Sequence, residues 1–93
     1  MRKIEHSNAF EKDFRRELAG QHGKKLDALL AAAVDLLAAD APMPAAYHDH
    51  PLSGEWKNHR DCHLRPDLVL IYLKPDAATL RLSRLGSHSE LFG

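Results

Sequence analysis

The sequence predicts an α+β fold, in which two N-terminal helices pack on a small antiparallel sheet. Two observations lead to this prediction. Leucine and alanine residues between Leu26 and Leu37 recur at the i, i+3, i+4, i+7 spacing of an amphipathic helix. Further along, three apolar runs are joined by short Pro-Asp segments, which suit tight turns between antiparallel neighbours. The length of 93 residues is that of one domain.

The first 40 residues predict a short strand followed by two helices. The strand covers residues 2–6, and Ser7 can cap the first helix, which ends before Gly23. The second helix begins near Lys24. The apolar stripe of the first helix consists of Phe10, Phe14 and Leu18. The short join between the helices predicts a helical hairpin.

The second half predicts a loop and then a three-stranded meander. Asp40–Pro51 contains three prolines and no periodicity, so it is expected to be a loop. The predicted strands are Trp56–Leu64, Leu68–Leu73 and Thr79–Leu85. The predicted turns are Leu64–Asp67 and Lys74–Ala77. The middle run is apolar on both faces, as expected of a central strand that is covered on both sides.

Composition excludes some classes of function. The formal net charge is zero, which argues against a protein held to nucleic acid by bulk charge alone. The charge is unevenly distributed, because residues 26–50 contain four aspartates and no lysine or arginine. The single cysteine, Cys62, suits a reducing compartment. With no leader-like segment and no apolar run of membrane-spanning length, the chain is expected to be cytoplasmic.

Histidines in the second half are the main candidates for chemistry. They are His48, His50, His63 and His88, of which His50 lies in the predicted loop and His88 in a short tail after the last strand. Imidazole can give or take a proton near neutral pH, so several of them together with Asp67 suit proton transfer on an anionic substrate. Asp67 lies just across the turn from His63, so the two are expected to approach each other.

Strand alternation sorts the residues around His63 into two faces. One face carries His59, Asp61 and His63, and the other carries Trp56, Cys62 and Leu64. Cys62 therefore faces away from the histidines and is interpreted as a small buried hydrophobe. Trp56 and Tyr72 are both expected in the core.

A metal site is disfavoured by the spacing of the histidines. His59 and His63 share a face of the predicted strand but stand roughly 13 Å apart, too far for one ion with bond lengths of about 2 Å. No cofactor is expected. Any one of these histidines could instead be a structural or surface residue.

Two further residues are candidates for contact with a substrate. Arg84 carries the rigid guanidinium fork that suits phosphate, although an arginine on a strand can also be a solvated charge. Phe92 lies in an apolar C-terminal segment. It either covers the core or stacks on a nucleobase.

Residues 44–93 resemble a known family. The segments P-A-A-Y-H-D-H-P-L-S-G-E-W, R-D-C-H-L-R-P-D-L-V-L-I-Y and R-L-G-S-H-S-E-L-F-G occur in the order found in YafQ-like toxins of the RelE/ParE superfamily. The first 40 residues are similar only in pattern. The resemblance implies the compact α+β fold of microbial ribonucleases. It also implies a ribonuclease that cuts mRNA in the A site of the 70S ribosome and is neutralised by a cognate, DinJ-like antitoxin.

The resemblance also implies which residues function. The family's site residues carry over onto His50, His63, Asp67, His88 and Phe92. In the mechanism we expect, a base removes the 2′-hydroxyl proton, the oxygen attacks phosphorus, and an acid protonates the leaving 5′-oxygen without a metal ion. His88 is the predicted acid, and the base is Asp67 or His63.

The remaining site residues are expected to act on the charge and position of the RNA. His50 orients or stabilises the phosphate, Arg84 offsets its developing charge, and Phe92 stacks on a base. One alternative is a catalytically inactive or ParE-like module whose main role is to bind its antitoxin and repress their operon. A histidine-rich metal carrier is the other, and the spacing disfavours it.

Overall fold

The protein consists of a five-stranded sheet and three α-helices, which a computed structural model describes for residues 1–93. The elements are β1 (Lys3–His6), α1 (Asn8–Leu18), α2 (Leu26–Ala38), β2 (His50–Pro51), β3 (Arg60–Arg65), β4 (Leu68–Asp76), β5 (Thr79–Gly86) and α3 (His88–Phe92). Single 3₁₀ turns occur at Ala45–Tyr47 and Gly54–Trp56. The predicted α+β class is therefore confirmed. No helix is both long and apolar enough to span a membrane.

The strands are arranged in the order β1-β5-β4-β3-β2. The predicted meander is confirmed, because β3, β4 and β5 are antiparallel neighbours with β4 in the middle. The sheet is not entirely antiparallel, however. β1 pairs in parallel with β5, and Lys3 lies opposite Thr79. The helical hairpin between β1 and the rest of the sheet provides the long connection that parallel neighbours need.

The two predicted helices are confirmed. The Ser7 hydroxyl accepts a hydrogen bond from the Phe10 backbone N–H and so caps α1. On α2, which begins at Leu26 rather than near Lys24, the buried side chains follow helical spacing. They are Leu26, Ala33, Leu37 and Ala38. These faces cover one side of the sheet.

Several predicted boundaries were wrong for local reasons. β3 begins at Arg60 and not at Trp56, because a 3₁₀ turn and a positive φ of 71° at Asn58 precede it. The predicted loop contains β2, which adds an edge strand beside β3. β4 continues through Pro75, because the ladder is irregular there and needs no N–H from proline. The turn after it is therefore formed by residues 77–78.

The sheet has apolar clusters on both faces, and they differ in size. The larger lies under α1 and α2 and includes Cys62, Leu70, Tyr72 and Leu82. The smaller lies on the other face, where Val69 and Ile71 contact Leu91 of α3, with Leu52, Trp56 and Phe92 around them. Tyr72 is in the core as predicted, whereas Trp56 is only partly buried and lies on the face opposite to Cys62. The smaller cluster forms the floor beside the histidines.

Candidate active site

Asp61 lies at the centre of the candidate site, on the sheet face that the helical hairpin does not cover. On β3 its neighbour across the ladder is Ile71 of β4 on one side and His50 of β2 on the other. Its side chain is almost completely buried, with 1% of its surface exposed. A carboxylate at this depth is costly unless it is paired and hydrogen-bonded.

The contact between Asp61 and His50 is close but is not a hydrogen bond. His50 Nδ1 lies 3.0 Å from Asp61 Oδ1, and also 2.7 Å from the carbonyl oxygen of His48. Because a carbonyl oxygen can only accept, Nδ1 must carry the hydrogen and direct it to His48. Asp61 Oδ1 is consequently left without a hydrogen-bond partner.

The charges around Asp61 act on its pKa in opposite directions. Burial is the largest effect and raises the pKa of Asp61 above its ordinary value. Positive charge on His50, His63 and His88 lowers the pKa, and the carboxylate of Asp49 raises it again. The net result is a raised pKa. Burial therefore outweighs the attraction of three imidazoles.

The three histidines come from different parts of the chain, as predicted. His50 is on β2, and His63 is on β3 opposite Val69. Their ring centres are 6.5 Å apart, and the ring of His48 is 5.7 Å from that of His63. His88 is the first residue of α3, where the sequence predicted only a short tail after the last strand. The structure thus brings His50, His63 and His88 around one buried carboxylate.

The helix that carries His88 is held by a capping box. The Ser87 hydroxyl accepts from the Glu90 backbone N–H, and the Glu90 carboxylate accepts from the Ser87 N–H. The ring of His88 lies 4.7 Å from that of Phe92, one turn later. Both side chains line a surface cleft together with Asp67 and Pro66.

Asp67 occupies the turn between β3 and β4 but does not bond to His63. Its carboxylate accepts from Gln21 Nε2 at 2.6 Å and contacts His22 Nε2 at 3.0 Å. Both partners belong to the join between α1 and α2. Asp67 therefore faces the cleft with His88 and Phe92, while His63 lines a neighbouring cleft with His48 and His50.

Arg84 forms an ion pair, and Phe92 contacts both the smaller apolar cluster and the cleft of His88. Arg84 Nε donates to Asp13 Oδ2 at 2.6 Å, and Arg84 Nη2 donates to Asp13 Oδ1 at 3.2 Å. A carboxylate thus already compensates the charge of Arg84. Phe92 packs at the border of the smaller apolar cluster and also lines the cleft of His88. Both interpretations of Phe92 are compatible with this position.

Cys62 and His59 lie outside the site. Cys62 is buried in the larger cluster, as predicted, and burial raises the pKa of its thiol to about 12. His59 was wrongly predicted to be a strand residue, because it precedes β3, and it packs edge-on against Trp56 with the ring centres 5.1 Å apart. No three His, Cys, Asp or Glu side chains are grouped as a metal site.

The sequence prediction missed three features of this site. Asp61 was placed on the face of His63 but was not assigned to the site, because no local pattern indicates its burial, and α3 was not predicted. The spacing of Ser87 and Glu90, typical of a capping box, is the signal that could have found α3. The contact of His22 with Asp67 spans 45 residues, and no local pattern indicates it.

The fold is shared along its whole length with solved toxin structures. A copper-bound mutant toxin from Helicobacter pylori is 38% identical, with a TM-score of 0.86, and the match covers 99% of this chain and 100% of that one. YafQ in the Escherichia coli DinJ-YafQ toxin-antitoxin complex is 40% identical, with a TM-score of 0.79 and coverage of 99% and 98%. The chain therefore has the fold of this class of small bacterial toxins.

Sequence comparison assigns the family within that class. The mRNA interferase toxin YafQ of Escherichia coli (strain K12) is 42% identical over 92 residues, which cover 99% of this chain and 97% of the relative. The family model for YafQ, a bacterial toxin of type II toxin-antitoxin systems, matches residues 2–93. This chain belongs to the YafQ toxin family. The resemblance seen in residues 44–93 therefore extends through the helical hairpin.

Proposed function

We propose that this chain is an endoribonuclease that cleaves mRNA in the ribosomal A site, in the cytoplasm, and is neutralised by a DinJ-like antitoxin. The observation that carries the proposal is the convergence of His50, His63 and His88 around the buried Asp61, beside the cleft of Asp67 and Phe92. Two comparisons support it. The Escherichia coli relative is named an mRNA interferase toxin, and a YafQ structure contains the antitoxin DinJ.

In the proposed reaction, a base and an acid act on opposite sides of one phosphodiester. The base takes the proton of the 2′-hydroxyl, and the 2′-oxygen attacks phosphorus. The bond from phosphorus to the 5′-oxygen breaks, and the acid protonates that oxygen, which leaves a 2′,3′-cyclic phosphate. Each proton transfer contributes about 10²–10⁴ in rate. The two groups must therefore face the same cleft.

We assign Asp67 as the base and His88 as the acid, because both line one cleft with Phe92. Phe92 would stack on a nucleobase and so hold the phosphodiester between Asp67 and His88. His63, the other candidate base, lines the adjacent cleft with His50. We therefore assign His50 and His63 to stabilising the negative charge on the phosphate.

Asp61, which is buried on β3 next to His50, supports this assignment. Its negative charge and positive charges on His50, His63 and His88 stabilise each other. Cationic imidazoles are the forms that donate a proton or bind a phosphate. We propose that Asp61 attracts these histidines and holds them in place beside the phosphate. The prediction that Arg84 also binds the phosphate stays untested, and its ion pair with Asp13 reduces the free charge it can offer.

We propose that the reaction is independent of metal ions. A toxin of the same fold has been crystallised with copper bound. Here the side chains of the two clefts provide a base, an acid and cationic groups, and no three His, Cys, Asp or Glu side chains are arranged so that they could hold one metal ion. We expect cleavage of ribosome-bound mRNA to be unchanged by a chelator. A loss of activity that an added metal ion restores would contradict this part of the proposal.

The replacement His88→Ala tests the nuclease proposal. Removing the acid should lower the single-turnover cleavage of ribosome-bound mRNA by about 10²-fold or more and spare ribosome and antitoxin binding. His6→Ala is the matched control, because His6 lies on β1 and packs on Phe10 away from the clefts. Equal rates for both variants would sink the assignment of the acid. A parent chain that leaves ribosome-bound mRNA intact would favour the inactive binding module.

The pH dependence of cleavage separates the two candidate bases. If Asp67 is the base, Asp67→Asn should remove the rising limb of the pH–rate profile, while His63→Gln should lower the rate and keep that limb. The opposite result would assign the base to His63.

A further inference from the structure

The positive charges of the chain fall into a paired and an unpaired group. Of the thirteen lysines and arginines, six form ion pairs with carboxylates: Arg2, Arg16, Arg60, Lys74, Arg81 and Arg84. Seven therefore have no such partner: Lys3, Lys12, Arg15, Lys24, Lys25, Lys57 and Arg65. Three of these seven, Lys24, Lys25 and Arg65, line a single cleft.

This basic cleft lies between the join of α1 with α2 and the turn from β3 to β4. Its other walls are Gln21, His22, Pro66 and Asp67. The only carboxylate is that of Asp67, which Gln21 and His22 already bind. The side chains of Lys24, Lys25 and Arg65 are exposed and form no hydrogen bond within the protein. Three positive charges in the basic cleft are therefore available to a ligand.

The basic cleft is continuous with both parts of the candidate active site. Arg65 and Pro66 also line the cleft of His50 and His63. Pro66 and Asp67 also line the cleft of His88 and Phe92. A chain of phosphates that leaves the reaction site along the β3–β4 turn would enter the basic cleft without a gap.

We propose that the basic cleft binds phosphate groups of an RNA backbone next to the bond that is cut. This inference rests on the proposed function, because only that function says which RNA lies in the basic cleft. Lysine and arginine supply sequence-independent contacts to phosphates, and a chain of zero net charge needs them concentrated where the RNA lies. An acidic protein segment fits less well, because the basic cleft has no hydrophobic lining and protein interfaces have apolar, aromatic-rich centres.

The test compares two triple variants with the same loss of charge. One is Lys24→Gln, Lys25→Gln, Arg65→Gln. The control is Lys3→Gln, Lys12→Gln, Arg15→Gln, whose residues are also unpaired but line none of the three clefts. Binding of a 2′-O-methyl RNA oligonucleotide, which has no 2′-hydroxyl to react, is measured by fluorescence anisotropy at several salt concentrations. The same measurement is made with ribosomes that carry no mRNA.

We expect the salt dependence of RNA binding to be smaller for Lys24→Gln, Lys25→Gln, Arg65→Gln and unchanged for the control. Three lost phosphate contacts lower the slope of log affinity against log salt by about 2. The ratio of the parent's affinity to the variant's affinity then falls about 16-fold between roughly 50 and 200 mM salt. An effect on the oligonucleotide indicates that the phosphates belong to the mRNA strand. An effect on the ribosome alone indicates ribosomal RNA, which has the same backbone chemistry.

Other results overturn the proposal. Equal salt slopes for the two triple variants in both assays would show that the basic cleft binds no RNA. If the basic-cleft triple variant binds the antitoxin more weakly but binds RNA as the control does, the basic cleft is a protein-binding surface instead. Binding is read without cleavage, so a failure of the nuclease proposal leaves this measurement intact. If the triple variant does not fold, Arg65→Gln alone gives the same test with a slope change of about 0.7.

Discussion

Asp13 and Asp61 are both buried aspartates, but their surroundings are opposite. Asp13, on α1, is 3% exposed and accepts four hydrogen bonds: two from Arg84, one from Arg16 and one from the backbone N–H of Leu85. Asp61 is 1% exposed, and its Oδ1 accepts none. Buried polar atoms are rarely left without a partner, so the exception at Asp61 needs an explanation.

The difference follows from what each carboxylate does. β1 ends at His6, so the last part of β5 has an open edge, and α1 continues along it. Asp13 accepts from the N–H of Leu85, and Arg16 donates to the carbonyl oxygen of the same residue at 2.8 Å. These two side chains replace a missing neighbour strand. Asp13 therefore stabilises the fold, whereas Asp61 is surrounded by groups that we assign to the reaction.

The pKa values of the two carboxyls move in opposite directions for the same reason. Burial raises the pKa of Asp13, but its hydrogen bonds and the charges of Arg84 and Arg16 outweigh burial, so the net pKa is lowered. For Asp61 burial prevails and the net pKa is raised. A perturbed carboxyl without full compensation, next to residues that line a cleft, is typical of a functional site.

Asp13→Ala should have the largest effect on stability. It leaves Arg84 partly buried without its partner and removes the acceptor of the Leu85 N–H. Loss of one partner of a buried pair costs about 3–5 kcal/mol. The free energy of unfolding, measured with urea, should fall by this amount. A loss below about 1 kcal/mol would mean that water replaces the carboxylate and that the open edge of β5 does not need Asp13.

Asp61→Asn should show the reverse pattern. The amide has the size of the carboxyl but no charge, so the cost of burying a charge disappears, and the free energy of unfolding should stay the same or rise. Single-turnover cleavage should fall by about 10²-fold, because the histidines lose the negative charge beneath them. Unchanged cleavage would show that Asp61 is a structural residue like Asp13.

The pH dependence of stability should separate the same two residues. The lowered pKa of Asp13 adds stability above its ordinary value of 3.8, and this stability is lost as the pH falls through the lowered value. The raised pKa of Asp61 has the opposite sign: the folded state binds the proton first, so this residue adds stability as the pH falls from its raised value toward 3.8. Urea unfolding of the parent, Asp13→Asn and Asp61→Asn at pH values on both sides of 3.8 measures the two contributions. Parallel curves for the three chains would contradict the assigned shifts.

The fold was largely predictable because its signals are local. The leucine spacing of α2 and the apolar run Leu68–Leu73 determined two elements, and Pro66 with Asp67 marked the first turn. The errors arose where tertiary structure overrides a local signal. Pro75 indicated a turn, but an irregular part of the ladder accepts it within β4. The parallel pairing of β1 with β5 depends on residues 76 positions apart, such as Lys3 and Thr79.

The candidate site was predictable in its residue types and only partly in its contacts. The imidazoles were found because histidine suits one kind of chemistry, proton transfer near neutral pH. The partners of Asp67 and Arg84 were not found, since each pair joins the N-terminal helices to the sheet over more than 40 residues. Such contacts require the packed structure. The sequence therefore predicted candidate site residues, and the structure shows which of them lie together.

Asp67 extends the comparison to a third, more exposed carboxylate, and it should give the smallest effect. His22 contacts it from the join of the helices, so we expect His22 to be a positioning residue for the proposed base. His22→Ala should change the free energy of unfolding by no more than about 1 kcal/mol, because Asp67 is half exposed although His22 itself is mostly buried. It should lower cleavage about tenfold, because a misplaced base reacts from fewer productive geometries. His22→Gln, which keeps a donor beside Asp67, should recover most of the rate. If His22→Ala and His22→Gln cleave at the parental rate, Gln21 alone holds Asp67 and the contact with His22 is incidental. If both lose stability instead, His22 fastens the helical hairpin to the sheet, and Asp67 belongs with Asp13 among the carboxylates that hold the fold together.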